Sequence, residues 1–109
     1  MAAQHASLAA GRWQALSLTE QMANVGSEVA RMRRWDGKDA QLCENAFVRA
    51  LELLDLTIGD HRWMGRRKEL TRARECLCDA MLGGHGYGND LASLDRYFFA
   101  FAVAARANR

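Results

Sequence analysis

From Leu18 onward, apolar residues recur at steps of three and four in four successive stretches, and the chain contains no proline to interrupt them. Steps of three and four return side chains to one face of a helix, so each stretch reads as amphipathic helix rather than strand. A sandwich or barrel would need β-branched strands and Pro/Gly turns. With four Val, one Ile and three Thr in 109 residues, the chain has few of the first and none of the prolines. The fold class expected is all-α.

The elements can be placed one by one. Ser17-Leu18-Thr19-Glu20 has the form of a capping box. Leu18, Met22, Val25, Val29 and Met32 then make one stripe on a helix running to about Trp35, where Asp36-Gly37 breaks it. A second helix is expected from near Asp39 to Gly59, with Gly59 where a C′ glycine belongs. Its main stripe is Phe47, Leu51, Leu54 and Ile58, with Cys43, Ala46, Ala50 and Leu53 beside it. So wide an apolar face predicts a central helix. A third helix runs from about Arg66 to Leu82, on Leu70, Ala73, Leu77, Ala80 and Met81, and ends in the glycine-rich run from Gly83 to Gly88. Asn89 or Asp90 can cap a fourth, from Leu91 to about Ala107, whose core line is Leu94, Phe98, Phe101 and Ala105. Four such helices joined by short turns predict an antiparallel up-down four-helix bundle over residues 17–109. Residues 1–16 are Ala-rich and aperiodic, and are expected to form a mobile or weakly helical tail.

Composition narrows the function classes. Half of the residues are hydrophobic and 26% are charged, as in an ordinary globular domain. No window approaches the roughly 18 apolar residues of a membrane span, so no membrane partner is expected. The formal charge of +2 is weak for a dedicated nucleic-acid binder. Cys43, Cys76 and Cys78 cannot all pair within one chain, and the N-terminus lacks the pattern of an export signal. Reduced thiols in a cytoplasm are the expectation.

Candidates for chemistry are sparse. None of His5, His61 and His85 follows a Glu by three, as bundle di-metal sites require. Cys76 and Cys78 are two apart, about 200° around a helix, and cannot chelate one ion there. No metal, cofactor or small-molecule ligand is expected. A cysteine nucleophile would need His61 or His85 as a base. Glu52 and Asp55 could act as paired carboxylates, or pair with cations such as Arg49. The glycine-rich loop before the fourth helix lacks both a Walker Lys-Ser/Thr and a preceding strand. No catalytic residues are assigned, and a non-enzyme is expected.

Four stretches resemble one family: SLTEQMANVGSEVARMRRW from Ser17, AFVRALELLDLTIGD from Ala46, RRKELTRARE from Arg66 and YFFAFAVAAR from Tyr97. It is a family of small cytosolic helical proteins of bacteria and archaea. Its members commonly read LSLGEQMANIGSEVER, AFERALELLDLTIAD, RGRLRELCRLREVLVDYF and YFYAFAYAAR in the same order. The likeness covers nearly everything after residue 16 and departs at Cys76 to Asn89. The family carries no assigned activity. Its fold looks similar to ring-forming four-helix bundles, those encoded in intervening sequences of ribosomal RNA genes and the accessory proteins of diversity-generating retroelements. What the resemblance implies is a homo-oligomer, a pentamer by analogy with those accessory proteins.

Two surfaces remain as interaction candidates. Tyr97 to Ala105 holds nine residues without a charge or an amide. Tyr97, Phe99 and Val103 lie off the core line, which marks them as a candidate subunit interface. The alternative is that the N-terminal tail covers them through Trp13 and Leu16. The run from Arg62 to Arg74 is basic, and Arg66, Arg67 and Arg74 are the candidate contacts to nucleic-acid phosphates. An ordinary solvated face with intrahelical pairs, such as Glu69 with Arg72, is the favoured reading of that run. The function expected is therefore a self-assembling interaction or scaffold module, with a nucleic-acid-binding accessory protein as the alternative.

Overall fold

The structure is a computed structural model and describes residues 11–83 and 90–107. Among these, the regular structure is helical: α1 Leu18–Trp35, α2 Ala40–Ile58, α3 Arg67–Leu82 and α4 Leu91–Ala107. Short 3-10 segments stand at Trp13–Ala15 and His61–Arg66. The protein is an all-α four-helix bundle.

Local chemistry sets the helix ends where the spacing placed them. Ser17 Oγ accepts from the Glu20 N–H at 3.2 Å while Glu20 Oε1 accepts from the Ser17 N–H at 2.9 Å, closing the capping box. Asp39 Oδ1 accepts from the Leu42 N–H, and Asp90 Oδ1 accepts from the Ser93 N–H. Each such cap satisfies an amide the helix leaves open and contributes about 1 kcal/mol. Gly83 ends α3 with φ at 77°, a left-handed conformation that favours glycine. Gly59 plays no such part. Its φ is −78°, open to any residue, and Asp60 carries the turn instead by accepting from the Arg62 N–H.

Contacts fix the packing as antiparallel between neighbours. Along α1 and α2, Cys43 Sγ meets the Met32 carbonyl at 3.4 Å and Arg49 approaches Glu28 at 3.9 Å. Arg33, near the end of α1, pairs with Asp95 near the start of α4 at 3.0 Å. Arg74 on α3 pairs with Asp55 on α2 at 2.8 Å. Leu18, Met22, Val25, Val29, Met32, Leu53, Leu54, Leu70, Leu77, Leu94 and Phe98 converge in one core.

The central helix is α1 rather than the expected α2: α1 packs extensively against both α2 and α4, and α3 closes the bundle with lighter contacts. The reason lies in small side chains. The second stripe of α2, with Cys43, Ala46 and Ala50 buried, lies close on α1, while its larger Phe47, Leu51 and Ile58 are only partly covered at the edge. On the other side of α1, Gly26 faces Phe98 so closely that a β-carbon there would lie 2.9 Å from Phe98 Cβ.

That approach makes Gly26→Ala a sharp test. Alanine gains up to about 1 kcal/mol of helix propensity, but overpacking a fixed core position costs about 1–3 kcal/mol. The variant is expected to lower the thermal midpoint by several degrees, read by circular dichroism. A raised midpoint would mean that α1 and α4 are not in tight contact at Gly26.

Candidate functional site

Helix α4 buries Leu94 and Phe98 and half-buries Phe101, so its inward face is already occupied. Its outward face is unusual. Phe99 is 49% exposed and Val103 54% exposed. The two stand four residues apart, one above the other, with exposed Ala100 and Ala107 alongside. Arg96 and Arg106 are the cations of this face, and Arg96 donates to Ser93 Oγ at 3.2 Å.

Tyr97, grouped with Phe99 and Val103 by its apolar setting, belongs to another flank. Two residues along a helix turn the side chain about 160° the short way round from Phe99. The Tyr97 ring, 36% exposed, meets Phe98 and Phe101 edge-on at 5.1 and 5.4 Å between centroids. Burial, with the Glu69 carboxylate nearby, pushes its phenol up to about 12. Tyr97 also borders a groove of about 190 Å³ between α3 and α4, which Glu69, Arg72, Ala73, Cys76, Ser93 and Leu94 line as well. The spacing of small residues Ala73, Cys76 and Ser93 was the available sign of this groove.

Among the described residues before α1, Trp13 and Leu16 do not cover the outer face of α4. Trp13 is fully buried elsewhere, its indole N–H donating to Thr57 Oγ1 at 3.2 Å at the far end of α2. Of the expected tail, residues 11–16 are thus tied to the bundle; residues 1–10 lie outside the described residues.

Trp13 belongs to a polar cluster that sequence reasoning missed. Gln21, buried on α1, donates through Nε2 to the Trp13 carbonyl at 2.9 Å and to Asp60 Oδ2 at 3.1 Å. Its Oε1 accepts from the Trp63 indole at 2.9 Å. An indole nitrogen only donates, so this contact fixes which way the amide points. Arg62 closes the cluster with two bonds to the Asp60 carboxylate and one to the Leu16 carbonyl at 2.7 Å. Its guanidinium stacks 4.4 Å above the Trp63 ring. The signal was present: Gln21 falls on the apolar stripe between Leu18 and Val25, and a polar residue there must find partners.

The three candidate phosphate contacts are divided by the structure, although Arg66, Lys68 and Arg72 of the same run border one shallow hollow with Glu69. Arg66 pairs with Glu69 at 2.6 Å, beside Tyr97. Arg67 donates to the Ile58 carbonyl at 3.2 Å, and Arg74 is held by Asp55, both toward α2. The three guanidiniums therefore do not converge on one surface, and a phosphate backbone would compete with an internal partner at each. The cysteines are also separated. Cys76 borders the α3–α4 groove, Cys78 lies 3.9 Å from Arg74, and Cys43 is buried against Met32, its thiol pushed up by burial and by Asp36. Asp55, half of the candidate carboxylate pair, serves Arg74. His61 is exposed, while His5 and His85 lie outside the described residues. Among the described residues no group of three His, Cys, Asp or Glu stands close enough to hold a metal ion, and no helix is long and apolar enough to cross a membrane.

The Asp60 clasp has a pH signature. Chiefly through the bonds from Arg62, its carboxyl is held at about 2, below the ordinary 3.8. A carboxyl lowered on folding stabilises fully above its unfolded value and loses that contribution as pH falls through the folded one. The thermal midpoint of the native chain should therefore drop more between about pH 5 and pH 2 than that of Asp60→Asn. At neutral pH that variant should be less stable by about 1–3 kcal/mol. Equal acid sensitivity of the two chains would remove Asp60 from the account.

Comparison with protein-family models, with curated proteins and with solved structures finds no match for this chain.

Proposed function

We propose that this protein is a non-enzymatic, self-assembling helical-bundle module in which the outer face of α4 is a contact between copies. The observation that carries the reading is the exposure of Phe99 and Val103 beside Ala100 and Ala107, on a helix whose inner face already fills the core. Contiguous apolar surface of this kind marks an interaction site. Covering a Phe or Val side chain fully is worth about 1.5–3 kcal/mol, and roughly half of each remains to be covered here. Alanines beside them allow a neighbouring helix to approach closely. The polar clusters, by contrast, are occupied internally: Asp60 by Arg62 and Gln21, Asp55 by Arg74, and Glu28 by Arg31. That favours a scaffold over a catalyst. Five copies is the number implied by resemblance to the ring-forming bundles, and three free thiols suit a reducing cytoplasm.

Light scattering behind a sizing column tests the reading. The native chain should run at a multiple of 12.2 kDa, and Phe99→Glu should shift it to smaller species while circular dichroism stays helical. A native chain of 12.2 kDa would overturn the proposal. A peak carrying the absorbance of nucleic acid, lost as salt rises, would replace it with the phosphate-binding alternative.

A further inference from the structure

Resting on the assembly reading above, we infer that the α3–α4 groove of one copy receives the Phe99 ring of a second copy. The contact then joins two different patches rather than one patch to itself.

Size is the first ground. An apolar cavity of about 150 Å³ accepts a benzene ring, and this groove holds about 190 Å³. Chemistry is the second. Ala73, Cys76 and Leu94 give the groove apolar walls, and Tyr97 borders it with an aromatic ring suited to edge-to-face contact. The rim carboxylate Glu69 is held by Arg66, and Arg72, the cation that also lines the groove, offers an incoming phenyl a cation–π contact. The third ground is supply: Phe99 is the most exposed aromatic ring among the described residues.

Placement then decides between donor and receiver. Phe99 and Tyr97 point about 160° apart on one helix, so a chain cannot fill its own groove with its own ring. A single copy can, however, donate Phe99 on one side and receive a ring on the other. Contacts between unlike patches are heterologous, and they build closed rings or open filaments instead of two-fold pairs. Val103 follows Phe99 one turn later and would seat against the rim, with Ala100 small enough to leave the approach clear.

Complementation of two defective copies tests this. Phe99→Glu removes the ring and leaves the groove. Ser93→Trp fills the groove and leaves the ring, and it spares the α4 cap, which uses the Ser93 backbone N–H. Each variant alone should run near 12.2 kDa, and an equimolar mixture should give one species of twice that mass. If Ser93→Trp assembles like the native chain while Phe99→Glu does not, the groove is not the receiver and the inference fails, though assembly through α4 stands. A mixture that stays monomeric with both variants folded likewise rejects the groove as receiver. A monomeric native chain overturns both readings. Should Ser93→Trp lose its helical signal, Tyr97→Glu, which charges the groove wall, takes its place with the same expected outcomes.

Discussion

The close approach of α1 and α4 at Gly26 and Phe98 organises the molecule. A β-carbon at Gly26 would collide with Phe98, so glycine sets how near the two helices lie. That distance places Phe98 in the core and fixes the rotation of α4 about its axis. Once Phe98 points inward, Phe99 is carried about 100° round to the outside, and Tyr97 about 100° the other way toward α3. The exposed face, the α3–α4 groove and the separation between them are all consequences of that one rotation.

Making α1 central has a cost in polar groups. A helix flanked on two sides buries more of its circumference than its apolar stripe covers, and Gln21 and Glu28 are taken in with it. Each is then satisfied by polar partners. Glu28 receives Arg31 from its own helix, with Arg49 of α2 at 3.9 Å. Gln21 joins Trp13, Asp60 and Trp63, using both amide hydrogens and its carbonyl. Leaving any of these unpaired would cost about 1–3 kcal/mol. The same cluster ties Trp13 and Leu16 to the core, because their carbonyls are among its acceptors.

What could be read from the sequence follows the range of the interactions. Helix limits were legible because Ser17, Asp39, Gly83 and Asp90 act on amides and carbonyls within four residues. The stripes that form the core were legible for the same reason, being a property of spacing alone. The choice of α1 over α2 as centre was not, since it depends on how closely Gly26 and Ala46 let other helices come. Arg67 and Arg74 read as candidate phosphate contacts because their partners, the Ile58 carbonyl and Asp55, belong to another helix. Tyr97 is a different case: its separation from Phe99 is simple helical arithmetic, obscured when apolar residues are grouped by character instead of angle.

Small size gives the outer face of α4 its meaning. A chain of about a hundred residues buries only roughly 60–70% of its unfolded surface, and its margin of stability is correspondingly narrow. Against that background, the exposed halves of Phe99 and Val103 contribute nothing to folding the single chain. Their presence acquires a physical purpose in the proposed assembly, where each copy adds the area that its own core cannot supply. Association would then add to stability by mass action, because only the folded chain presents α4 in the rotation that Gly26 imposes. Folding and assembly would be coupled through one helix, and a change at Gly26 would be felt at Phe99 without touching it.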